Sequence, residues 1–168
     1  MFPEKYVKDV ESSVKRNKAI QDILVSSSFI ASFVLLGPLI HEFGHIIVLK
    51  LIGCGYFLDL GFSMPHGIFA SIEPLCSPST PVLIIFYMLG YLLTLGLGTL
   101  LVFTGSRSKY LAALGTGSLL SVTLTIGLEG DIQNTAILLG ISSFTPVLTA
   151  LIILGIFITS LRGIEKMI

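Results

Sequence analysis

His41-Glu42-Phe43-Gly44-His45 is the only ionisable cluster between Asp22 and Lys50, set in a run that is otherwise apolar or small. Residues four apart share one face of a helix, so His41 and His45 can aim imidazole nitrogens at a single ion. Glu42 stands about 100° around the helix from His41, placed to reach a water on that ion without binding the ion itself. Phe43 points away, and Gly44 leaves room for another backbone or a substrate strand. Zinc takes nitrogen ligands, keeps one position open for water in catalytic sites, and lowers the pKa of that water to about 7. The expected chemistry is therefore attack of activated water on a peptide carbonyl, with Glu42 taking the proton as general base and passing it to the leaving amine. An ionised group at the centre of a membrane segment costs about 2.5–3.5 kcal/mol on insertion scales, so this cluster needs a shared partner, and a metal ion is the simplest. The plainer alternative is that the apolar run ends near Ile40 and the histidines are interfacial, without a metal.

Such a centre needs a third ligand, for which Asp131 is the expected residue. It follows a later apolar segment at a compatible depth, and Gly130 before it permits a sharp turn. Glu129 is the next candidate, as a ligand or as a hydrogen-bond partner of a ligand histidine; ordinary loop solvation is the alternative for both acids. Asn134 and Gln133 are candidates for orienting substrate or the Asp131 carboxylate. His66, in an expected turn, is a further candidate ligand. One zinc ion is the expected cofactor.

The elements that must position these residues follow from composition. The chain has 168 residues, 53% hydrophobic and only 12% charged, with a mean hydropathy of +0.94. Soluble domains carry about twice that share of charge. A helix crosses the hydrocarbon core in about 20 apolar residues, and four segments meet that length: about 19–52, 82–104, 110–128 and 146–161. The expected fold is an all-α membrane protein of four transmembrane helices, one membrane-embedded domain over 19–168, with a short β-hairpin between the first and second spans. The hairpin strands are Tyr56–Leu60 and Ile68–Ile72, around a loop near Pro65. Residues 1–18 are polar. Tyr6, Val10 and Val14 fall on one helical face, so this segment is either an interfacial helix or a solvated tail. No A-x-A-like site follows the first apolar run, which reads as a retained anchor. Pro38 is expected to kink it. The glycines of the second and third spans read as packing positions, and 129–145 reads as a break before the last span.

Net charge is zero, with no basic stripe, which argues against a nucleic-acid partner. The expected partners are the lipid bilayer and a membrane-protein or peptide substrate. With four spans, Lys5, Lys8, Lys15, Arg16, Lys18, Arg107, Lys109, Arg162 and Lys166 all fall on one side, leaving Lys50 the exception. The positive-inside rule makes that side, with both termini, cytoplasmic. Cys54 and Cys76 bracket the hairpin on the other side, either as a disulfide at its base or as two packed thiols.

These features resemble the site-2 protease family of intramembrane zinc metalloproteases, in particular its small minimal branch. The resemblance is carried by His-Glu-Phe-Gly-His at 41–45, by Gly53-Cys54-Gly55 with the strand-like residues after it, by Leu89-Gly90-Tyr91, and by Gly130-Asp131. It implies His41, His45 and Asp131 as zinc ligands, Glu42 as catalytic base, and the Tyr56–Ile72 region as a sheet that clamps an unwound substrate as an added strand. The chain departs from the family where better-known members read Asn-Pro-x-Pro-x-Asp-Gly or Leu-Asp-Gly, since here the residues are Glu-Gly-Asp-Ile-Gln-Asn; no PDZ-like domain is expected within these residues. Two further functions compete with proteolysis. One is a non-catalytic zinc-binding membrane subunit or assembly factor, a pseudoprotease with a closed fourth zinc position. The other is a metal transporter, which would require polar residues in several spans.

Overall fold

The computed structural model describes residues 4–63, 67–105, 108–128 and 130–168. Helix α1 (Glu4–Ala31) runs through a π-helical turn (Ser32–Leu36) directly into α2 (Gly37–Leu51). The polar N-terminal residues thus belong to the same rod as the apolar run after them. At 1.5 Å per residue the rod is about 70 Å long, more than twice a hydrocarbon core of about 30 Å. Its residues 13–24 are exposed along the whole stretch. The disturbance expected at Pro38 takes the form of the π turn. Proline has no N–H to donate, and its ring crowds the carbonyl four residues back. The chain widens by one residue just before it, and the Gly37 N–H donates to the Ser32 carbonyl instead.

The expected hairpin is present and longer than its apolar alternation suggested: β1 (Tyr56–Ser63) pairs antiparallel with β2 (Gly67–Pro74), from Tyr56 opposite Pro74 to Ser63 opposite Gly67. The connecting residues Met64, Pro65 and His66 lie outside the described residues. A Cys54–Cys76 disulfide, with Cα atoms 5.8 Å apart, closes the base of the hairpin. It ties the end of α2 to the start of α3 (Thr80–Thr104).

Helix α4 (Lys109–Leu128) fills the segment expected as the third span and lies at the centre, packed against α1, the π turn, α2, α3 and α6. Its position explains its composition. Ala112, Ala113, Thr116, Ser118 and Ser121 are buried, and Ser32 Oγ bonds across to the Leu114 carbonyl (2.6 Å) and the Ser118 hydroxyl (2.7 Å). The stretch read as a break, 129–145, instead holds helix α5 (Asp131–Leu138) and a 3-10 turn (Ser142–Phe144) before α6 (Thr145–Met167). Eight residues are too few to show helical periodicity, so α5 leaves little trace in the sequence.

Among the described residues, three helices are long and apolar enough to cross a membrane: Ser13–Leu51, Thr80–Thr104 and Ser142–Met167. Polar side chains share the interior of the bundle with apolar ones, and large apolar side chains also cover its outside. Ser32, Thr94, Thr116, Ser118, Ser121 and Ser160 are buried, while Leu92, Leu100, Phe103, Leu151, Leu154 and Phe157 face outward. Two lysines lie at one end of the bundle: Lys166 donates to the carbonyl of Val102 near the end of α3 (2.6 Å), and Lys109 to the carbonyl of Ile168 (2.8 Å). Two apolar clusters fill the remaining interior. One contains Tyr91, Val102, Leu119, Val122, Ile132 and Ile156; the other contains Val48, Leu49, Cys54, Ile72 and Phe86.

Candidate metal centre

Helix α2 turns His41, Glu42, Gly44 and His45 inward and leaves Phe43 56% exposed on its outer face. The three polar side chains are almost wholly enclosed: His41 is 1% exposed, His45 4% and Glu42 5%. The room left by Gly44 is taken by the backbone of α3. A Cβ on Gly44 would stand 2.6 Å from Gly90 Cα, and a Cβ on Gly90 would stand 2.7 Å from the His41 carbonyl oxygen and 2.8 Å from His41 Nδ1. Glycine at both positions lets the two helices meet backbone to backbone at the level of the histidines. The site therefore sits at the junction of the two apolar clusters, with Tyr91 of one edge-on to His41 (ring centroids 4.5 Å apart) and Phe86 of the other beside His45 (4.4 Å).

Asp131 reaches the same point from α5. Gly130 takes a left-handed conformation (φ 69°), which swings the chain from the end of α4 into α5 and puts Asp131 in its first turn. Asp131 Oδ2 lies 3.2 Å from His41 Nε2 and 3.2 Å from His45 Nε2, and the two Nε2 atoms are 3.2 Å apart. Burial alone would push the Asp131 carboxyl up. The hydrogen bonds and charges of His41 and His45 outweigh that and hold it below the ordinary carboxylate value.

The chemistry of this donor set fits a metal ion. Ligands about 2.0 Å from a tetrahedral ion lie about 3.3 Å from one another, which matches a triangle with edges of 3.2 Å. The tautomer of His45 fits as well. Its Nδ1 is 2.7 Å from the Phe86 carbonyl oxygen, which can only accept, so Nδ1 carries the proton and donates. When the ring is neutral, Nε2 carries the lone pair and can bind an ion shared with His41 and Asp131, the tautomer that outer hydrogen bonds impose on metal-binding histidines; when the ring is protonated, Nε2 donates to Asp131 instead. Glu42 belongs to a looser set: ligand atoms of His41, Glu42 and His45 all lie within 4.8 Å of one another. The buried His41-Glu42-His45 group can hold a metal ion, and the tightest triangle within the site is the one completed by Asp131.

Of the other expected site residues, Gln133 and Asn134 lie on the exposed face of α5, away from the triangle. Glu129 and His66 lie outside the described residues. The buried face of α5 consists of Asp131, Ile132, Thr135 and Ala136. Thr135 and the Phe86 carbonyl are features that sequence reasoning missed. Spacing four from Asp131 was the available signal for Thr135; a backbone carbonyl has none. No protein-family model, curated protein or solved structure matches the chain.

Proposed function

We propose that the chain is an intramembrane zinc metalloprotease of the site-2 protease kind, with one zinc held by His41, His45 and Asp131 and with Glu42 as general base. The observation that carries this reading is the triangle of donor atoms, each edge 3.2 Å, with a second carboxylate, that of Glu42, on the helical position next to His41. When bound, zinc supplies Lewis acidity to a water and to the substrate carbonyl. The chain's residues do the rest. His45, locked by the Phe86 carbonyl, and His41, held between Tyr91 and Gly90, bring two ring nitrogens to one point. Asp131 adds a negative charge that offsets part of the ion's charge in a low-dielectric interior. Glu42 accepts the proton of the attacking water and delivers it to the leaving amine. The β1–β2 hairpin, beside α2 and linked to it through the disulfide, offers strand edges to an extended peptide.

The same reading makes the protein multi-pass, with α4 as a fourth span inside the ring of the other helices and both termini cytoplasmic. Its supports are the outward-facing Leu and Phe side chains and the gathering of Lys109 and Lys166 at one end. The test of function is Glu42→Gln. General bases contribute about 10²–10⁴-fold, so the variant retains one zinc per chain and loses cleavage of a membrane-embedded peptide by at least the lower of those factors. Cleavage at the wild-type rate sinks the proposal. Zinc bound by both proteins with no cleavage by either would instead describe a non-catalytic zinc-binding subunit.

A further inference from the structure

Three threonines are buried among the described residues: Thr94, Thr116 and Thr135. Thr94 donates to the carbonyl of Gly90 (3.0 Å) and Thr116 to that of Ala112 (2.8 Å), each one turn back along its own helix. Thr135 is 4% exposed, and its hydroxyl oxygen is wholly enclosed and has no hydrogen-bond partner among the described residues. The carbonyl one turn back from it is that of Asp131, which this hydroxyl leaves unused. A buried hydroxyl without a partner is unfavourable, and valine would fill the same volume without that cost.

Position gives the hydroxyl a use. Thr135 and Asp131 are four apart on the buried face of α5, and helical side chains lean toward the N-terminus, so Thr135 leans over the turn that carries Asp131. Ile132 on the same face packs in the cluster that holds Tyr91, whose ring lies against His41. In both contacts with the histidines Asp131 uses Oδ2, which leaves Oδ1 free to take a hydrogen bond from outside the triangle. Metal-binding carboxylates are ordinarily oriented by such a bond.

We propose that Thr135 is a positioning residue for the metal centre: when the ion is bound, its hydroxyl donates to Asp131 Oδ1, directly or through one water, and fixes the carboxylate with Oδ2 toward the ion. The inference rests on the zinc reading given above. It is tested by zinc affinity in the full-length detergent-solubilised protein, measured by competition with a chromophoric chelator, for wild type, Thr135→Val and Thr135→Ser. Loss of an outer hydrogen bond weakens metal binding about 10–100-fold, so Thr135→Val binds zinc that much more weakly while Thr135→Ser keeps the wild-type affinity. Because the hydroxyl has no hydrogen-bond partner among the described residues, Thr135→Val prepared without zinc is expected to unfold at the wild-type temperature or above it. Wild-type zinc affinity in Thr135→Val overturns the assignment, as does weakening by serine as large as that by valine, because serine keeps the hydroxyl and the loss would then not follow it. If wild type itself binds no zinc, the metal centre falls and the assignment with it, a result distinct from a zinc-binding wild type that Thr135→Val leaves unchanged.

Discussion

Placing a methyl group at Gly90 attacks the metal centre without altering any ligand. A Cβ there would stand 2.7 Å from the His41 carbonyl oxygen, 2.8 Å from its Nδ1 and 2.9 Å from its Cε1, whereas ordinary van der Waals contact begins at 3.4 Å. The His41 ring would have to retreat by roughly 0.6 Å, and metal–ligand distances tolerate only about ±0.2 Å. Rotation of the ring gives incomplete relief, because the nearest atom is backbone and α2 must itself move off α3. Overpacking of this kind costs about 1–3 kcal/mol, and where that strain must be met in order to bind the ion it weakens affinity by about 5–150-fold. Gly96 lies on the same helix with nothing within 4 Å of its Cβ position. Gly96→Ala is therefore the control, expected to be neutral or stabilising by up to about 1 kcal/mol. Chelator competition on Gly90→Ala, Gly96→Ala and wild type reads the difference. Wild-type zinc affinity in Gly90→Ala would refute the claim that the α2–α3 contact sets the position of His41.

The disulfide and the topology offer two further checks. Cys54 and Cys76 close a loop of sequence separation 22, for which chain entropy predicts about 3 kcal/mol of stabilisation; Cys54→Ser/Cys76→Ser should unfold at a clearly lower temperature, and reductant should lower the wild-type midpoint while leaving the variant's unchanged. Single cysteines placed near residue 15 and at residue 166 in that cysteine-free background should both be labelled from the cytoplasmic side of sealed vesicles, and labelling from opposite sides would give an odd number of spans.

Much of this arrangement is visible in the sequence because the membrane simplifies the problem. Long apolar runs mark α3 and α6, alternation around Pro65 marks the hairpin, and His41, Glu42 and His45 identify themselves by being polar where nothing else nearby is. Other features depend on partners distant in the chain. Thr116, Ser118 and Ser121 make α4 look like a weak span, and only its place at the centre of the bundle explains them. Helix α5 was hidden because its eight residues include Gln133 and Asn134 on an exposed face, so that stretch reads as a loop. The change from polar to apolar composition near residue 19 suggested a boundary where the backbone has none, since a helix can leave lipid and continue in water. Pro38 announced a disturbance, but whether it becomes a kink or a π turn depends on how Ser32 and Gly37 pack against α4, where the methylene and hydroxyl of Ser121 occupy the space a Cβ on Gly37 would need.

The most direct measurement is the metal content of the purified protein beside His45→Ala, Asp131→Ala and Glu42→Gln. One zinc per chain in wild type and in Glu42→Gln, with zinc lost from His45→Ala and Asp131→Ala, is the predicted result, because three donors form the triangle and the neighbouring carboxylate stands outside it. A metal-free wild type, or full zinc in Asp131→Ala, would contradict it.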